Sequence, residues 1–189
     1  PLQRNYPSKE HELTFAQPGV NENGGVFCHA NTWAIIAECI LGNNNEAYKI
    51  YKELIPHNIV KKFGVERYNA EPYVYSSNIR APMALDAGQA GVSWLSGTAS
   101  WMMIALEEYI FGVKPCYKGL KIRPCIPDEW EKATVKRRFR GCEYAITIDN
   151  SARCGNSVKE TFVNGEKFDG EYILSTAPTA EILIVMGKA

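Results

Sequence analysis

The stretch KIRPCIPDEW, residues 121–130, divides this chain. Ahead of it apolar residues recur at helical spacing, and behind it they alternate. Its two prolines, Pro124 and Pro127, stop a helix from running through and cannot donate to a strand ladder. The chain is therefore expected to change from helices to sheet in this neighbourhood, near residue 115.

Working back from that point, residues 33–41 (WAIIAECIL) are almost all apolar, which predicts a helix buried on more than one side and closed by Gly42. Asn43 and Glu46 then have the spacing of a capping box, and Ala47, Ile50, Tyr51 and Leu54 share one helical face until Pro56. A further helix is predicted over Trp94 to Phe111, with Leu95, Ala99, Met102, Leu106, Tyr109 and Ile110 inward and Gly112 closing it. The segment EPYVYSSNI, residues 71–79, suits helix and strand equally. Working forward, VKRRFRGCEYAITIDN (135–150) alternates over Tyr144, Ile146 and Ile148. In VKETFVNGEKF (158–168), Asn164-Gly165 between two strand-like runs predicts a hairpin, and EILIVMG (181–187) reads as a last buried strand. The basic run KRRFR (136–140) is expected on a solvated strand face.

The 189 residues, 46% hydrophobic and 22% charged, have the profile of folded protein. Twenty-one Lys and Arg balance 21 Asp and Glu, so no global field draws the chain to nucleic acid or to an anionic membrane. No apolar run approaches the roughly 18 residues of a membrane span. With Pro1 at its start and no leader, the chain is expected to be a soluble, cytoplasmic piece of something longer. Six cysteines without a C-x-x-C pair point to free thiols, and His11, His29 and His57 lack metal-ligand spacing, so neither metal nor cofactor is expected.

Chemistry must then come from loops. In NENGGVFCHANTW (21–33), Gly24-Gly25 permit a turn that converges Glu22, Asn23 and His29 on one pocket; a capping turn with a buried histidine fits the same residues. In WLSGTAS (94–100), Ser96, Gly97 and Thr98 at a helix start offer two hydroxyls and an approachable backbone, a phosphate-sized site. On pattern alone a Ser/Thr helix cap, with Gly97 for close packing, is the more frequent reading of such a stretch. In EPYVY (71–75), Glu71 beside aromatic residues suits a sugar site, or is a surface acid ahead of a helix-starting Pro72.

Taken in order, ENGGVFCHANTWAIIAECILG, EPYVYSSNI, SWLSGTASW, GLKIRPCIPDEW and RRFRGCEYAI resemble the C-terminal part of the glycoside phosphorylases of glycoside hydrolase family 94. The resemblance covers almost the whole chain. It implies a mixed α and β fold in which residues 1–115 are the last helices of an (α/α)6 barrel and residues 116–189 a small antiparallel β-sandwich. It implies an inverting phosphorolysis of a β-linked gluco-disaccharide or oligosaccharide to α-glucose 1-phosphate, in an enzyme that is commonly a homodimer. Phosphate would be held by His29 and by the hydroxyl and backbone of Ser96 and Gly97, with Thr98 adjacent. Glu22, Asn23, Asn21 and Glu71 would face sugar. Asn21 stands where lysine is common, which bears on the acceptor, and Ser96 where threonine is common, which keeps the hydroxyl. The family's general acid is an aspartate upstream of the histidine motif and outside these residues, so the chain alone is expected to be inactive without the remainder of the enzyme. An inverting hydrolase using Glu71 or Glu22 as base, a noncatalytic carbohydrate module, and a transferase module of a cyclic glucan synthase are the alternatives.

Overall fold

The computed structural model describes residues 17–188. The chain forms two compact units, each from two stretches: residues through Ala34 with Ile50–Met102, and Ile35–Lys49 with the residues from Met103 onward. Strand β1 (Val26–Phe27) runs straight into helix α1 (Cys28–Leu41), five residues earlier than the periodicity predicts. Cys28, Thr32 and Ile35 form its single buried stripe, whereas Trp33, Ile40 and Leu41 are exposed. The expectation of a helix covered on several sides is thus not met within this chain.

Helix α2 (Asn44–Leu54) follows the GNNN turn, and here the predicted capping box gives way to a longer-range arrangement. The Asn43 amide donates to Glu38 at 2.7 Å, Glu46 pairs with Lys49, and Asn44 and Asn45 both donate to Asp128 at 2.7 and 2.8 Å. Asp128 has stronger claims on these amides than a local turn, because a carboxylate accepts charge-assisted bonds. Pro56 ends α2 as expected and also opens α3 (Pro56–Phe63), where its missing N–H is not needed; the short α4 (Val65–Tyr68) follows.

Residues 71–79 are mostly irregular, with β2 (Asn78–Ile79) paired antiparallel to β1, and Pro72 opens a turn and not a helix. Helix α5 (Thr98–Ile104) starts four residues later than predicted, and its continuation Ala105–Ile110 is π-helical. The buried positions Thr98, Met102, Ala105 and Ile110 advance by four, three and then five residues, because the wider turn inserts one residue into the register. Leu95, placed inward by the periodicity, is 79% exposed in the loop ahead of the helix.

The second unit holds the hairpin β3 (Val113–Cys116) and β4 (Gly119–Ile122), then β5 (Lys132–Phe139), β6 (Cys142–Asp149), β7 (Val158–Val163), β8 (Glu166–Lys167) and β9 (Thr179–Met186). The last five make one sheet in the order β5-β6-β9-β7-β8. The expectation of an antiparallel sandwich is corrected: β6 and β9 pair in parallel, and among the described residues the other strands of this unit form a single hairpin, β3–β4. The reason is connectivity, since the β7–β8 hairpin is itself the crossover that returns the chain between β6 and β7. Tyr144, Ile146 and Ile148 of β6 and Ala180, Ile182, Ile184 and Met186 of β9 fill the covered face, each large aliphatic contributing roughly 1.5–3 kcal/mol. The Asn164-Gly165 hairpin is present with both residues at positive φ, and β5 is an edge strand with Lys136 and Arg138 exposed and Arg137 paired to Glu107.

Candidate functional site

The first unit collects every residue singled out for chemistry. The NENGG turn is closed by backbone bonds from Gly19 N to Asn23 O (2.8 Å) and from Gly25 N to Asn21 O (2.9 Å). Asn21 takes φ +46 and Gly24 φ +91. A Cβ on Gly25 would stand 2.7 Å from Asn21 O, so this glycine is required by close approach. Asn21 and Glu22 are exposed and Asn23 is buried, which makes Asn23 an internal prop of the loop and leaves the other two on its surface.

Segment 76–79 stitches the site together. Ser77 accepts Cys28 N at 3.0 Å on one side and donates its own N–H to Val92 O at 2.8 Å on the other. Ser76 is buried, donates to Asn78 O at 2.9 Å and lies 3.8 Å from Cys28 Sγ, a thiol whose pKa burial pushes up. This seam brings the start of α1 beside the start of α5, which no local pattern announces.

His29 is the second residue of α1. Its ring meets Trp33 edge-on at 5.0 Å and Trp101 at 6.0 Å, and the two indoles cross at 6.0 Å. Its Nε2 is buried and has no hydrogen-bond partner among the described residues. A Cβ added to Gly97 would lie 3.8 Å from that nitrogen, so Nε2 faces the Gly97 backbone. The Gly97 carbonyl takes the first bond of α5, from Trp101 N at 3.1 Å. Ser96 Oγ accepts Thr98 N at 3.0 Å and lies 2.5 Å from Thr98 Oγ1. Thr98 is fully buried, its hydroxyl also reaching Ser76 O at 3.4 Å, so of the two hydroxyls Ser96 is the one nearer solvent.

Glu71 lies apart from this cluster of bonds, at the surface. Its Oε1 accepts the Trp94 indole N–H at 2.8 Å, and that bond holds the carboxyl below its ordinary pKa. Sequence reasoning paired His29 with Ser96-Gly97 but missed Ser76, Trp101 and Trp94. The i, i+4 spacing of His29 to Trp33 and of Gly97 to Trp101 is the signal that could have found the ring cluster.

A buried imidazole nitrogen facing a glycine backbone next to a half-exposed hydroxyl suits a module that holds small oxyanions, and the separate Trp94–Glu71 pair of indole and carboxylate suits hydroxylated ligands. The chain belongs to the glycosyl hydrolase 94 superfamily: residues 1–112 match the family described as "Glycosyl hydrolase 94 superfamily, catalytic domain". It is 34% identical over 166 residues to the solabiose phosphorylase of Paenibacillus borealis, covering 88% of this chain and 21% of that protein. To the N,N'-diacetylchitobiose phosphorylase of Vibrio proteolyticus it is 38% identical over 158 residues, 84% of this chain and 20% of that protein. The chain thus spans about a fifth of the curated relatives it matches. Among solved structures, the family GH92 alpha-mannosidase BT3965 from Bacteroides thetaiotaomicron gives a TM-score of 0.36 at 19% identity over 84% of this chain and 17% of that one.

Proposed function

We propose that this chain supplies the phosphate-binding wall of an inverting glycoside phosphorylase, which cleaves a β-linked gluco-disaccharide or oligosaccharide with inorganic phosphate to give an α-sugar 1-phosphate. The observation that carries the reading is the buried, unsatisfied Nε2 of His29 facing Gly97. An orphaned buried polar atom costs about 1–3 kcal/mol, and an arriving oxyanion offsets that cost by accepting from it. Ser96 Oγ and the Gly97 backbone complete the cradle, with Thr98 behind them holding the Ser96 hydroxyl in place. Barrel helices before residue 115 and a β domain from 116 onward remain the domain reading.

Phosphate is already a nucleophile and needs no general base. It needs to be held in line with the anomeric carbon, where one of its oxygens forms the new C1–O bond as the glycosidic C1–O bond breaks. The departing oxygen takes a proton from the aspartate that the family resemblance implies elsewhere in the enzyme. Glu22, on the surface of the 19–25 turn, is the acid that contacts sugar, Asn21 contacts the acceptor side, and Asn23 shapes the turn from within. The partners of the site are phosphate, the β-linked sugar and the remainder of the enzyme chain.

The test is product analysis on the complete enzyme with cellobiose and N,N'-diacetylchitobiose, with and without phosphate. Sugar 1-phosphate should form only with phosphate, and His29→Ala or Ser96→Ala should raise the phosphate KM well before the sugar KM. Release of free sugar at an undiminished rate without phosphate would make the enzyme a hydrolase and end this reading. The 189-residue chain by itself should give no turnover in the same assay.

A further inference from the structure

We infer that Trp94 is a stacking platform for a sugar ring of the substrate and that Glu71 is the residue that aims it. The inference rests on the phosphorylase reading for the choice of substrate, but its observations are separate from those at His29. Trp94 has φ +67 and is the one aromatic residue among the described residues with a positive φ. A bulky side chain in the left-handed region costs roughly 1–2 kcal/mol, a strain that persists where surrounding contacts over-determine it. The bond from its indole N–H to Glu71, 23 residues away, is such a contact.

What this strain achieves is display. Trp94 remains 67% exposed, so the conformation is not kept for the sake of burying the indole in this unit. The ring is held by its N–H edge, which leaves its faces available. Only Leu95 separates Trp94 from Ser96, so their Cα atoms are at most about 7 Å apart. A platform there is within reach of a sugar whose anomeric carbon meets a phosphate at Ser96 and Gly97.

The chemistry of the occupant follows from the ring. A β-gluco-configured pyranose carries its substituents equatorially, so its faces present axial C–H groups with a slight positive charge. The negative face of an indole complements them. Glu71, with one oxygen engaged by the indole, is a positioning residue in this arrangement and not the acid that grips the sugar.

The experiment uses the complete enzyme with cellobiose, N,N'-diacetylchitobiose and inorganic phosphate as probes. Trp94→Ala should raise the disaccharide KM about tenfold, within the range of aromatic stacking on a ring, with the phosphate KM unchanged. Trp94→Gly removes the ring and relieves the left-handed strain, so it should lose sugar affinity to the same degree while the melting temperature stays level or rises. Glu71→Ala should resemble Trp94→Ala, Glu71→Gln should retain near-normal kinetics because its carbonyl still accepts the indole N–H, and Glu71→Ala should add nothing in a Trp94→Phe background.

A Trp94→Gly variant that melts earlier with its sugar KM intact would make Trp94 a packing residue and overturn the inference. So would a further loss from Glu71→Ala in the Trp94→Phe background, which would place Glu71 on the sugar itself. If the wild-type enzyme cleaves disaccharide without phosphate, the phosphorylase reading fails, yet the sugar KM of the same variants still decides the role of Trp94.

Discussion

At the scale of single residues, Gly97 separates space from conformation. Its backbone does not require φ in the left-handed region, and a Cβ there would meet His29 Cε1 at 3.7 Å and Nε2 and Trp101 Cδ1 at 3.8 Å, all ordinary contacts. Gly97→Ala should therefore fold with its stability changed by no more than about 0.5 kcal/mol. The added methyl nevertheless stands in front of the nitrogen proposed to meet phosphate. We expect the phosphate KM of the complete enzyme to rise about tenfold, equivalent to roughly 1.4 kcal/mol, with the melting curve unmoved. A phosphate KM that stays level while the disaccharide KM rises would show that the space before His29 serves the sugar. Gly25 is the contrasting case, because its methyl would collide with the Asn21 backbone and distort the turn that carries Glu22.

At the scale of elements, the start of α2 is tied to the segment with which the sequence reading begins. Asp128 accepts from Asn44, from Asn45 and from Gly155 N at 3.0 Å, and Asn44 also donates to Ile126 O at 2.8 Å. The Gly155 N–H is the largest cause of the lowered Asp128 pKa, with Asn45 and Asn44 adding to it. A depressed carboxyl pKa contributes stability above the unfolded value near 3.9 and loses it as pH falls through the folded value. Asp128→Ala should thus cost about 2–3 kcal/mol at pH 7 in urea unfolding, through loss of charge-assisted bonds. The gap from wild type should narrow below about pH 4; a gap that is constant with pH would reduce Asp128 to a neutral spacer. This tie also explains what was and was not legible. Period and turn chemistry are local, so the NG hairpin, the inward face of α2 and the alternation of β6 read directly from sequence. The Arg140-Gly141 turn that splits residues 135–150 into β5 and β6 is as local as the NG hairpin but is hidden by an arginine, an uncommon residue at positive φ. The GNNN cap and the parallel β6–β9 seam, by contrast, depend on partners far along the chain. The pairing of His29 with Gly97 belongs to the same class, since it is delivered by Ser77 bonding to both flanking segments.

At the scale of the whole molecule, apolar surface and charge point the same way. Trp33, Ile40, Leu41, Leu85 and Leu95 are all exposed, Leu85 at 94%, and they come from α1 and from loops ahead of α5. Large exposed apolar residues in such numbers mark surfaces that associate. Net charge is the usual opponent of association, and here it is zero at pH 7, so nothing long-ranged holds two copies apart. The 189-residue chain expressed by itself should therefore self-associate near neutral pH at micromolar concentration, visible as a mass above 21.1 kDa in sedimentation and as light scattering. Because the attraction is apolar, added salt should strengthen it, and the double change Ile40→Lys with Leu85→Lys should weaken it on both counts by removing aliphatic surface and adding charge of one sign. In the complete enzyme, if residues from elsewhere cover α1 as the proposed barrel requires, Ile40→Lys should instead cost about 2–4 kcal/mol of stability, the penalty for placing a charge in an apolar contact. The same substitution thus improves one protein and damages the other, and a complete enzyme indifferent to Ile40→Lys would remove α1 from the proposed barrel interior.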